Sequence, residues 1–238
     1  MVEGPLIMGM GMVDILICRR PKILIPPNME KQYSDWWNQC HQSLDLPNVN
    51  VIEFRDEVEC PAIDVRLRSY SLGDGEFVSH VNDDDLVLGD PFAQCVQALK
   101  DNPSLAGVYT NSYIDDGKSR KPFFTHKIWT RQFNVSIIRP IHELCVMRRS
   151  IAEKSIAKVN KFLESSDNKY QIMQSEGEQL LYSAAASFGD WLFLPNTFGY
   201  VWRKHQHGVH HQMFQEQLPT PQRKDIRLEL MESEHGYI

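Results

Sequence analysis

Apolar positions in the first half of the chain follow two rhythms: short unbroken runs, and recurrences every three or four residues, with turn residues between them. Val13 to Cys18 reads as a strand, and Lys22-Ile23-Leu24-Ile25 as a better one, stopped by Pro26-Pro27-Asn28. From Lys31 the spacing predicts a helix with Trp36, Cys40 and Leu44 on one face, broken by Pro47-Asn48. Val49 to Phe54 is the next strand, and residues 61–72 suit a helix leading to the turn Gly73-Asp74-Gly75. Phe77, Val78 and Val81 suit a strand in the middle of a sheet. Asp90-Pro91 is a helix start, with an aspartate to cap it and proline at the first helical position; Phe92, Cys95, Val96 and Leu99 form its apolar stripe. Asn102-Pro103 ends that helix, and Gly107 to Tyr113 is a strand. Strands alternating with helices predict an α/β fold, a parallel sheet flanked by helices, whose ligands gather at the carboxyl ends of the strands.

The second half differs in pattern. Ser150 with Glu153, and Ser175 with Glu178, have the spacing of capping boxes ahead of helices carrying Ile156, Val159 and Leu163, and Leu181, Ala184, Ala185 and Phe188. Trp191–Leu194 and Phe198–Trp202 read as two short strands, and the alternation of Ile226, Leu228 and Leu230 predicts a strand in the polar tail. No internal repeat is visible.

Composition narrows the class only a little. A chain of 238 residues, 42% hydrophobic and 24% charged, suits one large globular domain. The formal charge of -6 argues against a generally nucleic-acid-binding surface but leaves room for a local basic patch. Five cysteines without a CxxC pair suit reduced, buried thiols. Neither a signal peptide nor an apolar run long enough for a bilayer is visible, so a cytoplasmic protein is expected.

Chemistry concentrates at Asp83-Asp84-Asp85, directly after the apolar run that ends at Asn82. Negative charges crowded at a strand end are unfavourable without a cation or abundant water. Closely spaced hard oxygens suit Mg²⁺ or Mn²⁺, which usually bring phosphates with them; a solvated acidic turn is the alternative. The stretch Gly117 to Phe133 holds Lys118, Arg120, Lys121, Lys127 and Arg131, no acid, and the aromatics Phe123, Phe124 and Trp129. Cations interleaved with aromatics are a recurring nucleic-acid footprint, though a solvated loop or a lid has the same composition. Four histidines fall between His205 and His211, but without a HExxH glutamate they make a poor zinc-hydrolase site.

The order of these segments resembles the inverting GT-A glycosyltransferases of the family-2 type. Leu24-Ile25-Pro26 is similar to that family's first strand, Asp56 to the acid after its second, and Arg66 to the arginine nine residues before its Gly-Glu. Gly75 to Asp85 aligns without a gap to the strand that ends in its acidic motif. Gly177-Glu178-Gln179-Leu180-Leu181 resembles its Glu-Asp helix start, and Trp202-Arg203-Lys204-His205 its Tyr-Arg-x-His segment. The chain departs from the pattern at Asn82, which stands for an aspartate, at Leu67, which stands for an asparagine, and at Gly177-Glu178, which stands for Glu-Asp.

The resemblance implies a GT-A, Rossmann-like, mostly parallel sheet with a mixed acceptor-side half. It divides the chain into a donor half at 22–116, an acceptor half at 117–212 and a tail at 213–238. It implies transfer of a sugar from a nucleotide-diphosphate donor to an acceptor hydroxyl, in a modified base of DNA as in some bacteriophage enzymes, or in a glycan precursor. Donor contacts would come from Pro26, Asp56, Arg66, Asp83, Asp84 and Arg203, and Mn²⁺ or Mg²⁺ would be held by Asp83, Asp85 and His205. An alternative metal pair is Asn82 and Asp84. Glu178 would be the base, with Glu176 as its substitute, and Lys118, Arg120, Lys121 and Trp129 would meet the acceptor. A module that kept the fold and lost catalysis is the non-enzymatic alternative; a nucleotidyltransferase would need a glycine-rich loop that Pro26-Pro27-Asn28-Met29 does not supply.

Overall fold

A computed structural model describes residues 12–19, 25–54, 67, 69–123, 130, 141, 144–204 and 220–232. Its strands are β1 (Val13–Cys18), β2 (Val49–Phe54), β3 (Phe77–Asn82), β4 (Leu86–Val87), β5 (Leu105–Asp115), β6 (Arg120–Phe123), β7 (Cys145–Arg148) and β8 (Asp190–Arg203). The helices are α1 (Glu30–Ser43), α2 (Pro91–Asp101), α3 (Arg149–Glu164), α4 (Lys169–Glu176), α5 (Gln179–Ala185) and α6 (Thr220–Glu232).

The strands lie in one sheet in the order β2-β1-β3-β7-β5-β8-β4, with β6 beside the outer half of β5. β1 pairs parallel with β2 and β3, β7 runs antiparallel between β3 and β5, and β8 is parallel to β5. The two-residue β4 and the hairpin strand β6 are also antiparallel to their neighbours. The long strands β1, β2, β3, β5 and β8 therefore all point one way, and their carboxyl ends share one edge of the sheet. This is the α/β, Rossmann-like GT-A arrangement expected from the sequence, with a mixed sheet.

Both faces of the sheet are covered. Ile15, Ile17, Phe77 and Val81 meet Trp37 and Cys40 of α1 and Phe92, Cys95, Val96 and Leu99 of α2. On the other face Leu16, Val78, Tyr109 and Met147 meet α3, α5 and α6 through Val159, Phe162, Leu180, Leu181 and Leu230. A strand buried on both faces needs apolar residues at successive positions. Ile15, Leu16 and Ile17 supply them, each 0% exposed. Asp90 caps α2 as predicted, its Oδ1 accepting from Ala93 N at 3.0 Å.

Several local expectations are corrected. Among the described residues the first strand is Val13–Cys18; of the strand expected at Lys22–Ile25, residues 22–24 lie outside the described residues, while Ile25 and Pro26 are in no strand and Pro26 leads into a short 3-10 turn at Pro27–Met29. In α1 the buried stripe is Tyr33, Trp37 and Cys40, followed by Leu44, and Trp36 is turned from the core. The reason is geometric: successive steps of four residues overshoot the 3.6-residue turn, and only a mixture of threes and fours tracks one face. Neither capping box forms. β7 runs straight into α3, so Arg148 takes the cap position and Ser150 falls inside the helix, while Ser175 is buried in the last turn of α4. The two short strands after Trp191 are one strand, β8, whose irregularity at Pro195 is bridged by the Asn111 side chain donating to the Pro195 carbonyl. The tail forms helix α6 rather than a strand, because its buried positions, Arg223, Arg227 and Leu230, recur at helical spacing.

The amino end of the sheet is tied by a buried polar cluster. Asp14 of β1 accepts from Arg149 at 2.5 Å, from Gly75 N at 2.7 Å and from Asn50 Nδ2 at 2.7 Å. Arg149 also donates to the carbonyls of Gly75, Tyr70 and Leu72 at 2.7, 2.9 and 3.0 Å. A Cβ on Gly73 would lie 2.3 Å from Asp14 Oδ2, so the φ of +77° there and the closeness of the turn both require glycine.

Candidate functional site

The acidic turn sits where the sheet edge predicts it, at the carboxyl end of β3 beside the end of β8. Asp83, Asp84 and Asp85 are 4%, 6% and 0% exposed, so water does little to screen their charges from one another. Asp85 is held by its neighbours. Its Oδ2 accepts from Tyr200 Oη at 2.7 Å and Asn82 Nδ2 at 2.8 Å, and its Oδ1 accepts from Arg203 N at 2.7 Å. Burial and the adjacent Asp84 carboxylate push its pKa well above the ordinary range, against the pull of these donors. Asn82 is a neutral amide, which can donate to Asp85 where a carboxylate in its place would repel it.

Arg203 closes the turn from the other side. Its guanidinium donates to the Asp84 carbonyl at 3.0 Å and to Gln39 Oε1, and it lies 5.7 Å from the centroid of the Trp36 ring. Burial lowers the Arg203 pKa, and the charges of Asp85, Asp84 and Asp115 raise it again. Under the turn, Cys40 donates to the Asn82 carbonyl at 3.4 Å; burial, with the nearby Asp85 and Asp84, pushes its thiol up to about 12.

Next to this turn opens a cleft of about 470 Å³, lined by Met29, Gln32, Trp36 and Gln39, by Leu86, by Asp115, Asp116, Gly117 and Arg120 of the β5–β6 hairpin, and by Arg203 and Lys204. None of the three aspartates lines it; Arg203 connects the two places. Arg120 meets Asp115 at 3.5 Å, and the Asp116 carboxylate accepts from the backbone N–H groups of Lys118 and Ser119, which lower its pKa. The basic stretch thus begins as a hairpin with acids of its own at the turn. Lys118 and Lys121 are exposed on that hairpin, outside the cleft lining.

The other predicted residues separate. Asp56, Arg66, Trp129 and His205 lie outside the described residues. Pro26 stands at the start of the 3-10 turn, its carbonyl accepting from Met29 N at 2.8 Å, one short turn from the cleft. Gly75 and Glu76 enter β3 at its amino end, the opposite end from the aspartates, where Glu76 meets Arg148 at 3.7 Å. Glu178 is half-buried at the start of α5 and does not line the cleft. Glu176 is fully buried and paired with both Arg223 and Arg227 of α6. That pairing is a structural use of the Glu176 carboxylate. Sequence reasoning missed Tyr200, Gln39 and Trp36 in this region. The doubled Trp36-Trp37 was the available signal, since one helix face cannot bury both rings.

The chain shares its fold with TarS of S. aureus. The crystal structure of TarS 1-349 matches with a TM-score of 0.54 at 12% identity, covering 92% of this chain and 70% of that one. TarS 1-349 in complex with UDP matches with a TM-score of 0.54 at 11% identity, covering 94% and 71%, and the complex with UDP-GlcNAc with 0.51 at 12%, covering 92% and 71%. No protein-family model and no curated protein matches the chain. At these identities the likeness is one of fold.

The donor set bears on the expected metal. Among the described residues no group of three His, Cys, Asp or Glu side chains is placed to hold a metal ion. Asp83 and Asp84 are both buried at this strand end, and Mg²⁺ or Mn²⁺ commonly take one or two carboxylates and complete their shell with phosphate oxygens and water. Among the described residues no helix is long and apolar enough to cross a membrane.

Proposed function

We propose that this protein is a glycosyltransferase that takes a sugar from a nucleotide-diphosphate donor and delivers it to an acceptor hydroxyl. The observation that carries the reading is the buried aspartate turn at the carboxyl end of β3, in a fold shared with TarS, whose structures include complexes with UDP and UDP-GlcNAc. A ligand site at the carboxyl ends of parallel strands is the rule for sheets of this kind.

In this reading Asp83 and Asp84 hold Mn²⁺ or Mg²⁺, and Asp85 positions them. Because Asp85 already accepts from Tyr200, Asn82 and Arg203, its carboxylate serves to pin the turn to β8. When bound, such an ion supplies neutralising charge for a diphosphate leaving group. Arg203, fixed against the Asp84 carbonyl, adds a cation at the same edge. Glu178 remains the proposed base, taking the proton of the acceptor hydroxyl. The expected acceptors, a modified base in DNA and a glycan, differ chiefly in charge.

The test is release of nucleoside diphosphate from a panel of nucleotide sugars with Mn²⁺ or Mg²⁺, alongside UDP binding by calorimetry. Release from one donor, lost with chelator and in both Asp83→Asn and Asp84→Asn, is the expected result. Absence of both release and nucleotide binding across the panel overturns the reading.

A further inference from the structure

Glu178 stands at a corner between two helices, and residues on both sides of it are anchored in the interior. Before it, Glu176 ends α4 with a side chain 0% exposed, paired with Arg223 and Arg227 of α6, whose side chains are 6% and 2% exposed. Between them Gly177 adopts φ 55° and ψ -136°, a conformation that residues with a side chain rarely take. A Cβ there would meet nothing within 4 Å, so the backbone conformation, not want of space, calls for glycine. After it, Gln179 is buried and donates through Nε2 to the Ile141 carbonyl at 2.9 Å. Backbone bonds complete the corner: Gly177 N donates to the Met173 carbonyl at 3.0 Å, Leu180 N to that of Gly177 at 3.2 Å and Tyr182 N to that of Glu178 at 3.1 Å.

The second anchor also says where the corner is tied. β7 is antiparallel to β3, with Ser79 opposite Val146, so the chain entering β7 lies toward the carboxyl end of β3, the end that carries the aspartates. Leu144 keeps that alignment, its carbonyl accepting from Thr110 N of β5 at 3.0 Å. Ile141 comes three residues earlier, and Gln179 fastens the start of α5 to it.

We propose that α6 is a clasp for the α4–α5 corner, with Glu176, Arg223 and Arg227 as positioning residues for the Glu178 carboxylate. The role given to Glu178 rests on the glycosyltransferase reading; the clasp does not. Burying three charged groups is costly, and apolar side chains of similar volume often dock a helix as well. What the ionic arrangement adds is direction. Arg223 donates to Oε1 of Glu176 and Arg227 to Oε2, so the carboxylate is fixed in one orientation by two guanidinium groups. The end of α4 is thereby held immediately before Gly177, the residue whose backbone freedom would otherwise let Glu178 swing. A base works only within hydrogen-bond reach of its proton, and a misplacement of about 1 Å can cost about 10²-fold in rate.

The test compares the full chain with a variant carrying Glu176→Leu, Arg223→Met and Arg227→Met together. This removes the charges as a set and leaves buried Leu230 and Met231 to dock α6. Hydrogen exchange read by mass spectrometry needs no substrate. Amides of residues 177–182 should exchange about tenfold faster or more, with those of β1, β3 and α3 unchanged. Arg227→Lys, a milder change that keeps the charge and loses the planar fork, should give a smaller rise in the same segment. Unchanged exchange at the corner, or a rise spread evenly over the chain, overturns the inference. With any donor that the unaltered chain turns over, the triple variant should lower kcat by about tenfold or more at unchanged donor KM, and should slow Glu178→Gln no further. An unchanged kcat, or an equal further fall on top of Glu178→Gln, also overturns it. Absence of turnover by the unaltered chain sinks only the transferase reading, and exchange then decides the clasp.

Discussion

Replacing Arg149 by methionine should be among the most damaging single changes in the molecule, although it lies at the sheet end opposite the aspartate turn. The Asp14 side chain is 0% exposed and the Arg149 side chain 11% exposed. Methionine fills much of the same volume but leaves a buried carboxylate with only Gly75 N and Asn50 Nδ2 as donors, and strands the carbonyls of Gly75, Tyr70 and Leu72. Breaking a buried ion pair by removing one partner costs about 3–5 kcal/mol. With a urea slope of about 3 kcal/mol per molar, the midpoint should fall by roughly 1–2 M. Arg149→Lys should recover little, because an ammonium cannot reach one carboxylate and three carbonyls together. The double variant Asp14→Leu with Arg149→Met should be less destabilised than the sum of its single variants, since no buried charge is then left alone. Urea unfolding followed by far-UV circular dichroism measures all of these. A midpoint shift below about a third of a molar for Arg149→Met, or strict additivity in the double variant, would refute the account.

Three further outcomes follow from the same structure. Glu176→Gln should lower the thermal midpoint and make α6 sensitive to limited proteolysis, because Arg223 and Arg227, 6% and 2% exposed at their side chains, lose their counter-charge; unchanged stability with lost turnover would instead return Glu176 to the chemistry. Glu178→Gln should leave nucleotide binding intact and cut transfer by about 10²-fold or more, while full activity would remove it as the base. Cys40, with its thiol pushed up to about 12, should carry roughly one thiolate in ten thousand molecules at pH 8 and resist a disulfide reagent in the native state; labelling at the rate of a free cysteine, mapped by mass spectrometry, would contradict its burial.

The sequence determined those features that depend on residues near one another in the chain. Short segments rich in apolar residues marked β1, β2 and β3, Asp90-Pro91 marked the start of α2, and the aspartates after Asn82 marked the carboxyl end of β3. Local periodicity failed where burial was decided by a distant partner. The alternation of Ile226, Leu228 and Leu230 made the tail look like a strand; in the fold Arg223 and Arg227 are buried on a helix, paired with Glu176, 47 and 51 residues away. The Gly75-Glu76 step aligned with a functional motif, yet Asp14, 61 residues earlier, takes its backbone for the opposite end of the sheet. Asp85 was expected beside Asp83 as a metal ligand, and the fold brings Tyr200 and Arg203 of β8 against its carboxylate. Trp36 and Trp37 are adjacent in sequence and differ in fate because a helix turns about 100° per residue, which sends one ring into the core and the other into the cleft. A charged or aromatic side chain carries no record of its eventual partner, and which group neutralises or covers it is settled only when the sheet closes.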